Sequence, residues 1–89
     1  MKSNKKLGEI CMEIYREMYK QADPPADFDK LIKSGETKNR QWFMNYYLPM
    51  EKQEEITANI CKKHKLTKQE IMRVYYTVFL GASPTSVKG

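Results

Sequence analysis

Apolar residues recur over the first twenty positions at helical rather than strand spacing. Leu7, Ile10, Cys11, Ile14 and Met18, with Tyr15 and Tyr19 at the margins, follow the 3.6-residue period of an amphipathic helix over about 5–21. Ser3 and Asn4 are both available to cap it. Asp23-Pro24-Pro25 ends it, because the residue before a proline avoids the α region. Phe28, Leu31 and Ile32 then fall on one face of a short helix over 26–34, closed by Gly35. Glu36 to Gln41 is polar and reads as a loop. Trp42-Phe43-Met44-Asn45-Tyr46-Tyr47-Leu48 is the densest aromatic stretch of the chain. Phe43, Tyr46 and Tyr47 fit one helical face over 41–47, whereas the aromatic content also suits a strand. With no partner strand in view, a short helix or turn packed on the core is favoured.

The second half is better punctuated. Pro49 is tolerated at a helix start, Glu51, Glu54 and Glu55 lie toward the positive end of the dipole, and Lys62, Lys63 and Lys65 lie toward the negative end. These biases predict a helix over 50–64 with Ile56, Ile60 and Cys61 inward and Thr57 beside them. Thr67 and Glu70 form a T-x-x-E capping box. Leu66 and Ile71 are spaced as a hydrophobic staple, so a further helix begins at Lys68. Gly81 and Pro84 stop it near Leu80. Lys65, Leu66 and Thr67 are left as the turn.

The expectation is therefore an all-α bundle of three to five helices (about 5–21, 26–34, 41–47 in one of its two readings, 50–64 and 68–80). It forms one domain over 1–81 with a frayed tail over 82–89. Eighty-nine residues suffice for one small core. The last helix is apolar on two faces, Ile71, Val74, Tyr75 and Val78 on one and Met72, Tyr76 and Phe79 on the other. Such a helix is either the centre of its bundle or partly buried in a partner. In so short a chain this points to a homodimer, with Tyr76, Phe79 and the aromatics near Trp42 as contacts.

Charge adds a second theme. The chain has 16 Lys+Arg against 11 Asp+Glu, a formal net charge of +5. Between residues 61 and 75, Lys62, Lys63, Lys65, Lys68 and Arg73 face Glu70 alone, so +4 of that +5 surrounds the turn. A basic patch attracts nucleic acid, an acidic protein or an anionic surface, and it also serves plain solubility.

Over residues 57–76 the chain resembles the helix-turn-helix family of DNA-binding units. Small Cys61 stands where that motif brings its helices close, and Leu66, Ile71 and Val74 stand where it buries apolar side chains. It departs at Lys65, where the family usually has a glycine in a positive-φ turn. The resemblance implies that Thr67, Lys68, Gln69, Met72 and Arg73 form the outward N-terminal face of a recognition helix. Gln69 would pair with adenine, Arg73 with guanine or phosphate, and Lys62, Lys63, Lys65 and Lys68 with phosphates. The competing expectation is an ordinary helical hairpin whose basic face is solvated. The chain would then be a protein-interaction or accessory module docking through Trp42, Tyr46, Tyr76 and Phe79.

Other chemistry is weakly represented. His64 is the only histidine, and no serine or cysteine has the setting of a nucleophile, so an enzyme is not expected. Cys61-x-x-His64 with Cys11 gives at most three ligands where structural zinc wants four, so neither a metal nor another cofactor is expected. The four glycines are scattered rather than gathered in a phosphate-binding loop. Cys11 and Cys61 look like structural thiols of a reduced compartment. Glu9, Glu13, Arg16 and Glu17 interrupt any signal-like apolar stretch, and no run is long enough for a bilayer. The expected location is therefore cytoplasmic, with no membrane partner.

Overall fold

The computed structural model describes residues 3–34 and 47–80. These residues form an all-α bundle of four helices, α1 (Asn4–Gln21), α2 (Phe28–Ser34), α3 (Met50–Lys63) and α4 (Lys68–Leu80). Trp42, Tyr46, the segment expected over 41–47 and the expected tail over 82–89 lie outside the described residues, apart from Tyr47.

The first helix is the spine. Ser3 caps it, its Oγ accepting from the Lys6 N–H at 3.1 Å. Leu7, Ile10, Cys11, Ile14, Tyr15, Met18 and Tyr19 are all buried along one broad stripe. Each of α2, α3 and α4 packs against this stripe, whereas the backbones of α3 and α4 approach each other at few points. The centre of the bundle is therefore α1, and the doubly apolar α4 lies at its edge.

Asp27 delays the start of α2 to Phe28, two residues past the expected boundary. Its carboxylate accepts from the Lys30 N–H at 3.2 Å, and its carbonyl accepts from the Leu31 N–H at 3.1 Å. Phe28 packs its ring against Tyr15 and Tyr19 with centroids 5.3 and 5.1 Å away. Leu31 is half-buried against the core, but Ile32 is exposed. Among the described residues this seven-residue helix packs mainly on α1 and buries the narrow line that meets it, so the expected three-residue face is reduced to two. Arg16 on α1 clamps Asp29 through Nε, at 3.0 and 3.1 Å to its two carboxylate oxygens.

The start of α3 is secured from inside. Gln53 is buried and donates from Nε2 to the Leu48 carbonyl at 2.8 Å, while the Thr57 hydroxyl donates to the Gln53 carbonyl at 2.8 Å. Ile56, Thr57, Ile60 and Cys61 complete the inward face.

The corner between α3 and α4 closes as its residues predict. His64 is the C-cap of α3, and Lys65 follows with φ 53°. The Lys65 N–H donates to the Lys62 carbonyl at 3.1 Å and the Leu66 N–H to the Cys61 carbonyl at 3.3 Å, the paired bonds of a Schellman motif. One residue on, the Thr67 N–H donates to Glu70 Oε1 at 2.9 Å and the Glu70 N–H to Thr67 Oγ1 at 3.2 Å. The capping box is thus complete, and Leu66 and Ile71 both pack against the core.

The rotation of α4 differs from expectation. Its buried line is Glu70, Val74, Thr77 and Val78, while Ile71 and Tyr75 are only half-buried. Two polar residues occupy the inner line because each finds local partners. Glu70 is held beneath the helix start by the cap. The Thr77 hydroxyl donates to the Arg73 carbonyl at 3.1 Å, and the buried Tyr15 hydroxyl donates to the Thr77 carbonyl at 3.0 Å. A buried hydroxyl with a partner is cheap, so the lock between α1 and α4 sets the rotation.

Candidate functional site

The rotation of α4 turns Lys68, Gln69, Met72, Tyr76 and Leu80 outward. Met72 is 56 % exposed, Tyr76 44 % and Leu80 70 %. Spaced at four residues, they make one continuous line along the helix. With half-buried Ile71, Tyr75 and Phe79 they enclose a shallow apolar groove of about 450 Å³. The Tyr75 and Phe79 rings pack on each other with centroids 5.3 Å apart and form one wall. Burial, with a smaller contribution from nearby Cys61 and Glu54, pushes the Tyr75 hydroxyl above its ordinary pKa.

The basic residues around the corner do not act as one set. Lys62, Lys65, Thr67, Lys68, Gln69 and Met72 are exposed. Lys63 is exposed too, but its ammonium donates to Glu13 Oε2 at 2.8 Å, and His64 Nε2 lies 2.9 Å from Glu13 Oε1. The Lys63 hydrogen bond is the largest influence holding the Glu13 carboxyl below its ordinary value, with His64 adding to it against some burial. Arg73 is half-buried and turned back toward α1. Its Nη1 donates to Asn4 Oδ1 at 3.1 Å, and its Nε is buried without a hydrogen-bond partner. Of the eight residues assigned to nucleic acid, five therefore remain open, the Thr67 hydroxyl is held in the capping box, and Lys63 and Arg73 are engaged by distant parts of the chain. Glu13 and Asn4, which engage them, are about fifty and seventy residues away along the chain, and no local sequence signal marks them.

Of the aromatic docking set, Tyr76 is open and Phe79 is half-buried in the groove wall, while Trp42 and Tyr46 lie outside the described residues. Leu80 and Ile71 were not singled out for docking, although the i, i+4 line through Met72 and Tyr76 leads directly to Leu80.

Cys11 and Cys61 are buried thiols that form no disulfide, and burial raises Cys61 to a pKa of about 11. Among the described residues no cluster of three or more His, Cys, Asp or Glu is arranged to hold a metal. Among the same residues no helix is long and apolar enough to cross a membrane.

A second groove of about 480 Å³ runs between α1 and α3 over Ile56 and Ile60. Its walls carry both signs of charge, and much of that charge is already matched within the fold, Lys63 to Glu13 and Arg16 to Asp29.

The fold and these surfaces define a small all-α bundle with one open apolar helix face. Compared with protein-family models, curated proteins and solved structures, the chain matches none.

Proposed function

We propose that the protein is an interaction module that docks another polypeptide on the outward face of α4. The observation that carries this is the unbroken apolar line Met72, Tyr76 and Leu80 at the edge of a chain whose mean hydropathy is −0.75. Soluble proteins rarely leave a contiguous apolar patch open without a use for it. Covering the exposed parts of these three side chains is worth roughly 3–4 kcal/mol, at about 1.5–3 kcal/mol for a fully buried one. Tyr76 is the expected anchor, since aromatic side chains dominate interface energetics.

The test is site-specific photocrosslinking in the cells the protein comes from. A photoreactive residue at Tyr76 should give a discrete adduct, and the same residue at Ala58, exposed on α3, should not. Equal yields at the two positions would defeat the proposal.

A nucleic-acid-binding role of helix-turn-helix type is the second reading. What favours it is the exposure of Lys62, Lys65, Lys68 and Gln69 together at the corner. It ranks lower because Arg73 and Lys63 are engaged within the fold, and because the outward face beyond Gln69 is apolar where a phosphate-lined groove calls for polar contacts. It predicts retardation of a random duplex at low salt that weakens in Lys68→Ala and falls steeply with added salt. Absence of any shift at low salt would remove it.

A further inference from the structure

We infer that the occupant of the α4 face is a second copy of the same chain, docked with its α4 antiparallel to the first. This rests on the docking proposal above and names its partner. Two features of α4 select this occupant.

The outward line is nearly symmetric under reversal. Lys68, Met72, Tyr76 and Leu80 are evenly spaced, so an antiparallel copy sets Met72 against the partner's Tyr76 and Tyr76 against the partner's Met72. The aliphatic stem of Lys68 then lies over the partner's Leu80. Such an isologous contact closes on itself and stops at two chains.

The ends of α4 also carry opposite electrostatic character. The N-terminal end combines the positive pole of the helix with exposed Lys65 and Lys68, whereas the last turn contains no basic residue to offset the negative pole. An antiparallel pair brings the Lys68 ammonium to the carbonyl end of the partner's α4, whose last turn carries no basic residue. A parallel pair would set the two basic ends side by side, so charge as well as shape selects the antiparallel arrangement. The contact covers a few hundred Å² per copy, below the roughly 800 Å² per partner of a standard interface. Association should therefore be reversible and concentration-dependent.

Sedimentation equilibrium on the full chain tests this. Between about 1 and 300 μM the average mass should rise from the 10.5 kDa of one chain toward twice that value. Tyr76→Glu and Met72→Glu should hold it at one chain while leaving the helical circular-dichroism spectrum and melting temperature unchanged. Lys68→Glu should weaken association several-fold. A photoreactive residue at Gln69 should yield a covalent dimer joined near the partner's Phe79.

A monomer at every concentration overturns the inference. If Tyr76 then still crosslinks in cells to a different polypeptide, or to a nucleic acid, self-association alone has failed or the face serves another class of partner. A crosslink from position 69 into residues 35–46 or 81–89 of the same chain means that the face is covered internally, and it overturns both proposals. Absence of any adduct at 69 or 76 likewise removes both.

Discussion

Lys65 holds a left-handed backbone, φ 53°, at the point where α3 hands over to α4. A side chain with a Cβ costs about 1–2 kcal/mol there, from its clash with the following carbonyl. Glycine removes that cost but has more freedom to lose on folding, about 0.5–1 kcal/mol. Lys65→Gly should therefore stabilise the protein by a net 0.5–1 kcal/mol or so, which for a domain of this size raises the melting temperature by roughly 2–8 °C. The two Schellman hydrogen bonds, from Lys65 and Leu66 to Lys62 and Cys61, are backbone bonds and survive the change. Thermal and urea unfolding followed by circular dichroism would measure the effect. The competing cause is relief of repulsion, since Lys62, Lys63 and Lys68 lie close in sequence. Lys65→Ala isolates it, removing the charge while keeping the Cβ. The backbone account requires the glycine variant to gain and the alanine variant to stay within about 0.5 kcal/mol of the parent. An equal gain in both would refute it in favour of charge, and a loss in the glycine variant would refute it outright.

Three further outcomes follow from the core and its ion pair. Tyr15→Phe removes the buried bond to the Thr77 carbonyl and should cost about 1 kcal/mol by urea denaturation, with no change in helix content. Glu13 has a folded pKa below its ordinary 4.5, so its contribution to stability is present above about 4.5 and is lost as pH falls through the lower folded value. Glu13→Gln should accordingly flatten the acid limb of melting temperature against pH, and an unchanged limb would show that the pairing with Lys63 and His64 contributes nothing. Cys11 and Cys61 should react with a thiol reagent at pH 8 only on unfolding, because both are buried and Cys61 is shifted to about 11. Rapid labelling of the native protein would contradict their burial.

The parts legible from sequence are those governed by neighbours three or four residues apart. The start of α4 at Lys68 was readable because Thr67 and Glu70 satisfy each other's backbone groups within one turn. The positive φ at Lys65 was readable as a requirement of the turn, although not that lysine would meet it. The inner line of α1 followed from period alone, since all seven apolar positions face the core. For α4 the same method was off by a partial rotation. Ile71 and Tyr75 look like core beside Val74 and Val78, and hydrophobicity cannot reveal that Tyr15 reaches the Thr77 carbonyl from another helix. Ile32 failed for a related reason, because a short helix packed mainly on α1 buries less than its pattern offers.

The candidate surfaces divide along the same line. Sequence located the basic corner and marked Met72, Tyr76 and Phe79 as a second apolar stripe. It could not assign Lys63 to Glu13 or Arg73 to Asn4, since those pairs join residues fifty and sixty-nine positions apart. By itself, then, the sequence determined the periods of α1 and α3, the cap at Ser3 and the corner from His64 to Glu70, because periodicity and side chain–backbone hydrogen bonds act within a turn of chain. Tertiary structure alone decided that α1 is the spine, which way α4 faces, and which cations remain free. Those outcomes depend on contacts between distant residues, and it is the resulting rotation of α4 that leaves Met72, Tyr76 and Leu80 open to a partner.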